Sequence, residues 1–351
     1  MGVSESTQLR TRRALLKRSG LVLAFALVVA LVVYALLHLD LHRIGHVLIT
    51  ATPGWIVLAL VLMGSSLVLR SISWHQVLRA ALPETPMPLA PVVRATMIGV
   101  MASAVFPGRI GEPSRIFVLS RRLDGPTRRQ LPVVAGTVFS QTLINLLALG
   151  ILLAITFTSV PLLHGHLAGL AGALAVPLAL CIVVLVGPRL LELARNSRSP
   201  RLVTAADLVA RMLRLARQGL AAFRRPRYGI TAILAQLLAW ALQWLACYSV
   251  MLALGLQADG GLVAAAAILL AVNLSAVLPA TPSNVGVFQA ACAVVLAAYG
   301  VNAGTGVAYG IILQAVEVLT ALALGVPALL GEGLTWRDIR TGGSSAGESP
   351  E

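Results

Sequence analysis

A chain of 351 residues that is 58% hydrophobic and only 11% charged is too apolar for a soluble domain of ordinary composition. Its formal net charge of +14 does not point to nucleic acid, because the arginines sit between apolar stretches and are not interleaved with aromatics; membrane orientation explains them better. The expected class is an all-α polytopic membrane protein, since lipid offers unpaired backbone groups no partner.

Residues 1–19 form a basic tail with Arg10, Arg12, Arg13, Lys17 and Arg18. The apolar run LVLAFALVVALVVYALL (21–37) that follows is too long for a signal-peptide core, and HLDLHRIGH after it has no small-x-small cleavage site, so it reads as an uncleaved first span. Six full spans are expected near 20–39, 54–80, 131–158, 167–187, 229–255 and 304–331, against the roughly 20 residues a crossing needs. Between the second and third, and again between the fifth and sixth, lie apolar segments broken by Pro and Gly, 88–122 and 262–302. Each is either a re-entrant hairpin that enters and leaves on one side or a pair of short full spans, giving eight or more spans. Both choices leave the termini together.

Positive charge sorts with that topology. Segments 1–19, 81–130, 188–228 and 332–351 hold nearly every Lys and Arg, while the opposite segments 40–53, 159–166, 256–261 and the link near 302 hold only Arg43. The first set is therefore cytoplasmic, with both termini inside a plasma membrane. Within 188–228, Leu202, Ala206, Val209, Leu213, Ala216, Leu220 and Phe223 recur at spacings of four and three. They predict a basic amphipathic helix, either on the inner headgroups or on the protein's own inner face. The tail 332–351 ends in TGGSSAGESPE and is expected to be disordered.

SAVFP (103–107) recurs as SAVLP (275–279), 172 residues later, and the spans that follow set Gln141 against Gln314. The chain thus divides into two membrane repeats, about 20–158 and 167–331, with opposite orientations. Inverted repeats with broken helices meeting near the midplane are a recurring plan of secondary transporters.

Few polar residues interrupt the apolar stretches. In FPGRIGEPSRIF (106–117), Arg109, Glu112 and Arg115 share roughly one face of a helix starting near Gly108, with Pro113 in its first turn. Two guanidiniums beside a helix N-terminus suit an anionic headgroup; the alternative is interfacial residues that snorkel to the inner headgroups. Glu317 is the acidic residue well inside a predicted span, expected either to couple protons or to pair with Arg109 or Arg94. Arg70 and Arg79 are expected to be snorkelling anchors. Asn273, Ser283, Asn284 and Gln289 give the second broken segment neutral groups for a ligand or for freed backbone. His38, His42 and His46 are expected to be an ordinary polar helix end rather than a metal site, and GVAYG (306–310) to serve close helix packing. Cys181, Cys247 and Cys292 lie apart in apolar segments and indicate neither a disulfide framework nor a metal site. Motifs for soluble chemistry are missing, and no cofactor, metal or enzymatic activity is expected.

FPGRIGEPSRIFVLSRR (106–122) resembles the first motif, Pro-x-Arg-hydrophobic-Gly-Glu followed by Arg, of the flippase-like family also called the lysylphosphatidylglycerol synthase transmembrane region. LPATPSNVGVFQAACAVVLAAYGV (278–301) is similar to its second motif, although Gln289 stands where an acidic residue is usual. The likeness covers most of 15–335. It implies a plasma-membrane protein that moves phospholipids or polyprenyl-phosphate-linked lipids between leaflets, with Arg109, Gly111, Glu112 and Arg115 in the functional hairpin. Since only residues 332–351 follow the last span, the aminoacyl-transferring synthase domain is not expected. The candidate substrate-binding set is Arg109, Gly111, Glu112, Arg115, Asn284, Gly286, Gln289, Gln141, Gln314 and Glu317, and the expected partners are membrane lipids with anionic headgroups. Alternatives are a non-catalytic membrane partner of a glycosyltransferase or lipid-modifying enzyme, and a small-metabolite exporter.

Overall fold

A computed structural model describes residues 50–83, 87–105, 111–122, 127–159, 225–275 and 284–333. Among them are eight helices and no strand: α1 (Pro53–Ala81), α2 (Leu89–Val105), α3 (Gly111–Ser120), α4 (Thr127–Ser159), α5 (Pro226–Ala253), α6 (Gly261–Ser275), α7 (Val287–Ala297) and α8 (Ala303–Gly331). The expected spans at 20–39 and 167–187, the three histidines, Cys181, the basic helix in 188–228, Arg109 and Ser283 lie outside the described residues.

Local chemistry sets where these helices begin. α1 and α5 each open on a proline, whose missing N–H would have been an orphan in the first turn anyway. Asn302 caps α8, its side chain accepting from the Gly304 backbone N–H at 2.9 Å. Four segments are long and apolar enough to cross a membrane: Pro53–Ala81, Val133–Leu152, Pro226–Ala253 and Ala303–Gly331. They coincide with four of the six expected spans. Their outer faces expose Val57, Val61, Leu234, Leu238, Leu319 and Leu330, a surface suited to lipid rather than water.

The other helices are short. At about 1.5 Å per residue, the 17 residues of α2 reach about 25 Å and the 10 of α3 about 15 Å, and α6 and α7 are similar. The order long, short, shorter, long therefore occurs twice. Exchanging α1 with α5, α2 with α6, α3 with α7 and α4 with α8 maps the helix packings onto themselves. The α2–α8 contact becomes α6–α4, α3–α4 becomes α7–α8, α1–α2 becomes α5–α6, α1–α8 becomes α5–α4, and α1–α5 maps onto itself.

Corresponding helices run in opposite directions. Thr52 N–H donates to the Ala253 carbonyl at 2.9 Å, Ser73 Oγ donates to the Ala232 carbonyl at 2.9 Å, and Arg79 lies over the Tyr228 ring, so α1 and α5 are antiparallel. One end of the bundle, where α1 and α8 finish and α5 starts, carries Arg79, Arg94, Arg121, Arg122, Arg225, Arg227 and Glu332. The α2–α3 pair starts and finishes at this arginine-bearing end, because Glu332 pairs with Arg94 near the start of α2 and with Arg122 just past α3. The α6–α7 pair starts and finishes at the opposite end, where Gly260 packs on Tyr299.

Small residues allow these pairs to close. Gly99 and Gly111 let α2 and α3 cross almost backbone to backbone: a Cβ on Gly111 would collide with Ser103 Oγ and the Gly99 carbonyl. Gly306 and Gly310 do the same for α8 against α7, facing Ala293 and Gln289, so the GVAYG spacing serves packing within the chain. Gly310→Ala is expected to destabilise the protein by about 1–3 kcal/mol through overpacking, since its Cβ would lie 2.8 Å from Gln289 Cα. Gly64→Ala, whose nearest neighbour is Leu324 at 3.7 Å, should be neutral; thermal melting in detergent separates the two.

Candidate functional site

Where the long helices meet the first short pair, the apolar interior is interrupted by a connected set of polar side chains. Arg115 on α3 donates from Nη1 to Gln141 Oε1 on α4 at 3.0 Å, and its guanidinium lies 5.2 Å over the Trp74 ring of α1. Gln141 Nε2 in turn donates to the Arg70 carbonyl at 3.0 Å. Arg70 Nη2 donates to Gln243 Oε1 on α5 at 3.3 Å, and its guanidinium lies 5.9 Å over Trp240. Trp74 donates to Thr137 at 3.1 Å, and Trp240 donates to Asn145, which also accepts from Gln236. Both indoles are thereby fixed with a face toward an arginine, which attracts cations.

The carboxylates around this centre are loosely engaged. Glu112 stands 3.7 Å from Arg115, with its side chain more than half exposed. Glu317 on α8 acts on Arg70 through its charge, yet forms no ion pair among the described residues. Among the described residues, neither arginine has the paired, forked contact with a carboxylate that usually anchors a structural guanidinium.

The predicted residues fall into two groups. Gly111, Glu112, Arg115 and Gln141 come together with Glu317's charge nearby; Asn284, Gly286, Gln289 and Gln314 gather around the start of α7. There Asn284 and Gly286 take left-handed backbone angles, with φ of 54° and 88°, which Asn and Gly tolerate. Gln289 accepts from the Gly286 N–H at 2.7 Å and donates to Gln314 Oε1. The amide where the family usually has an acid thus caps α7 and ties it to α8. Asn273 donates to the Leu269 carbonyl of its own helix. Arg109 lies outside the described residues.

Two expectations change. Arg70 does not snorkel; it turns inward to Gln243 and Trp240, because an amide and an indole face on α5 offer it partners at that depth. Arg94 does not pair with Glu317, because Glu332 at the end of α8 takes it: Arg94 Nε lies 2.9 Å from Oε1, without hydrogen-bond angles, while Arg122 Nε donates to Oε2 at 2.8 Å. Pro113 falls in the first described turn of α3, and the expected start near Gly108 lies outside the described residues. Sequence reasoning missed Gln243, Trp74, Trp240 and Asn145. The signal was available for Gln243, which follows Arg70 by 173 residues, within one of the repeat spacing.

Apolar helices of spanning length, lipid-suited outer faces and inward-turned, half-buried arginines define a polytopic α-helical membrane protein. A model of the family described as the lysylphosphatidylglycerol synthase TM region matches residues 21–325, and the chain belongs to that family. No curated protein matches it significantly.

The Glu332 side chain is only 5% exposed and ties α2, α3 and α8 together. Glu332→Gln should lower stability by about 1–2 kcal/mol, between the values for exposed pairs and for hydrogen bonds to charged groups. Limited proteolysis is expected to cut faster between α3 and α4 in that variant than in wild type.

Proposed function

We propose that this protein moves a lipid with an anionic headgroup, a phospholipid or a polyprenyl-phosphate-linked lipid, between leaflets of the plasma membrane, as a transporter and not an enzyme. The observation that carries this reading is the pair of inward-facing guanidiniums, Arg70 and Arg115, each seated on a tryptophan and an amide within an apolar bundle. Arginine forks onto phosphate oxygens, and cations at membrane depth mark substrate paths more often than fold elements.

In this reading the two halves form an inverted repeat, and α2–α3 and α6–α7 are re-entrant hairpins from opposite faces. Its support is the recurring helix order, the exchange of packings and the antiparallel α1 and α5. The arginine-bearing end is cytoplasmic by the positive-inside rule, as are both termini. Alternating access then follows from rocking one half against the other around a central site. Arg109 and Arg115 meet the headgroup from the cytoplasmic hairpin.

The test is exchange of fluorescent phosphatidylglycerol, a zwitterionic phospholipid and a polyprenyl phosphate in proteoliposomes. Wild type should move an anionic lipid. Arg115→Ala, which loses a hydrogen bond to a charged group worth about 1.5–3 kcal/mol, should slow that movement by about tenfold to a hundredfold, and Arg109→Ala should impair it too. Folded wild-type protein that exchanges no lipid would overturn the proposal in favour of a non-catalytic partner of a glycosyltransferase or lipid-modifying enzyme. Movement of a water-soluble solute alone would favour an exporter.

A further inference from the structure

Arg70 on α1 and Gln243 on α5 are hydrogen-bonded to one another across the pair of helices that exchange with each other. Through Gln141 and Gln243, Arg70 stands where α1, α4 and α5 meet.

Its bonding is incomplete there. Nη2 uses Gln243, but the buried Nε has no hydrogen-bond partner, and Arg70 forms no ion pair among the described residues. The like charge of Arg115 bears on it, and the opposing charge of Glu317 reaches it without salt-bridge contact. Burying a cation beside another cation, with a donor unfilled, is costly unless an anion completes the arrangement. Glu332 provides the contrast, since a single carboxylate there engages two arginines within 2.9 Å. The Trp240 face and the Gln243 amide hold the Arg70 guanidinium while leaving part of its planar edge uncommitted, and that edge matches phosphate oxygens.

We infer that Arg70 is a second anion-binding residue of the site, taking a phosphate oxygen of the ligand where α1, α4 and α5 meet, with Gln243 and Trp240 as its positioning residues. This rests on the reading of the protein as a mover of anionic lipids. A lipid phosphodiester and free inorganic phosphate share the chemistry that Arg70 would recognise, so both are used as probes. On entry from the arginine-bearing end, the phosphate meets Arg115 on α3 first and passes to Arg70 on α1, where either half can face it.

The experiment is arginine footprinting of the full-length wild-type chain with an arginine-selective dicarbonyl, read by mass spectrometry. The protein is held in a phosphate-free, uncharged maltoside detergent alone, with added phosphatidylglycerol, or with added inorganic phosphate. Phosphatidylglycerol should reduce modification of Arg70 at least about threefold and leave Arg79, stacked on Tyr228 away from the centre, unchanged. Protection by inorganic phosphate but not by phosphatidylglycerol would uphold the anion site and assign it to a free ion. Equal modification of Arg70 under all three conditions would overturn the inference. Exchange assays run alongside compare Arg70→Gln with Arg79→Gln, and the first should fall by about tenfold while the second stays near wild type. If wild type moves phosphatidylglycerol and a folded Arg70→Gln moves it equally well, this inference fails and the lipid reading stands. If wild type moves no lipid while Arg70 is still protected, the lipid reading fails and the anion site remains.

Discussion

The constraint on which the rest depends is that a guanidinium inside an apolar bundle has to be held by neighbours. Arg70 and Arg115, each half-buried, rest on an aromatic face and an amide oxygen that replace part of the hydration they lose. Trp240 and Gln243 come from α5, Trp74 from α1, and Gln141 from α4. Meeting those needs brings α1, α3, α4 and α5 together at one place. The second ring of contacts, Trp74 to Thr137 and Trp240 and Gln236 to Asn145, then locks the indoles that the arginines rest on.

The frame is symmetric and its charge is not. Arg115 bonds to Gln141 on α4, and in the other half Gln289 bonds to Gln314 on α8, so a neutral amide takes the place of a cation. Arg70 likewise faces an amide of the second half, Gln243 on α5. The first half thus supplies both guanidiniums, while the second answers with amides and with Glu317, the carboxylate whose charge reaches the centre. Equivalent packing with unequal charge lets two halves share one geometry while one of them does the electrostatic work.

Close approach of backbones makes this compact enough to happen. Gly99 against Gly111 brings α3 onto α2 and so delivers Arg115 to Gln141, and Gly310 against Gln289 brings α7 onto α8 in the corresponding way. Gly325 admits the Met101 side chain between α8 and α2. Where van der Waals contact rather than water exclusion drives helix association, such small residues decide which helices pair. Glu332 adds an electrostatic tie at the arginine-bearing end, fixing both ends of the first short pair to the end of α8.

The sequence by itself determined the helical membrane class, four spans within a few residues of their ends, the places where two segments break, and the family. Hydropathy, Pro and Gly act locally, and their consequences can be read along the chain. It also marked Arg115, Gln141, Gln289 and Gln314, because polar residues stand out in an apolar run and because the repeat aligns the two glutamines. Only the tertiary structure decided that Arg70 turns inward to α5 and that Arg94 belongs to Glu332. Whether an arginine at a given depth snorkels or stays inside depends on what the facing helix offers, and that helix lies more than 150 positions away in the sequence. Gln243, Trp240 and Asn145 were silent for the same reason: an amide or an indole becomes part of a site through the charge brought against it.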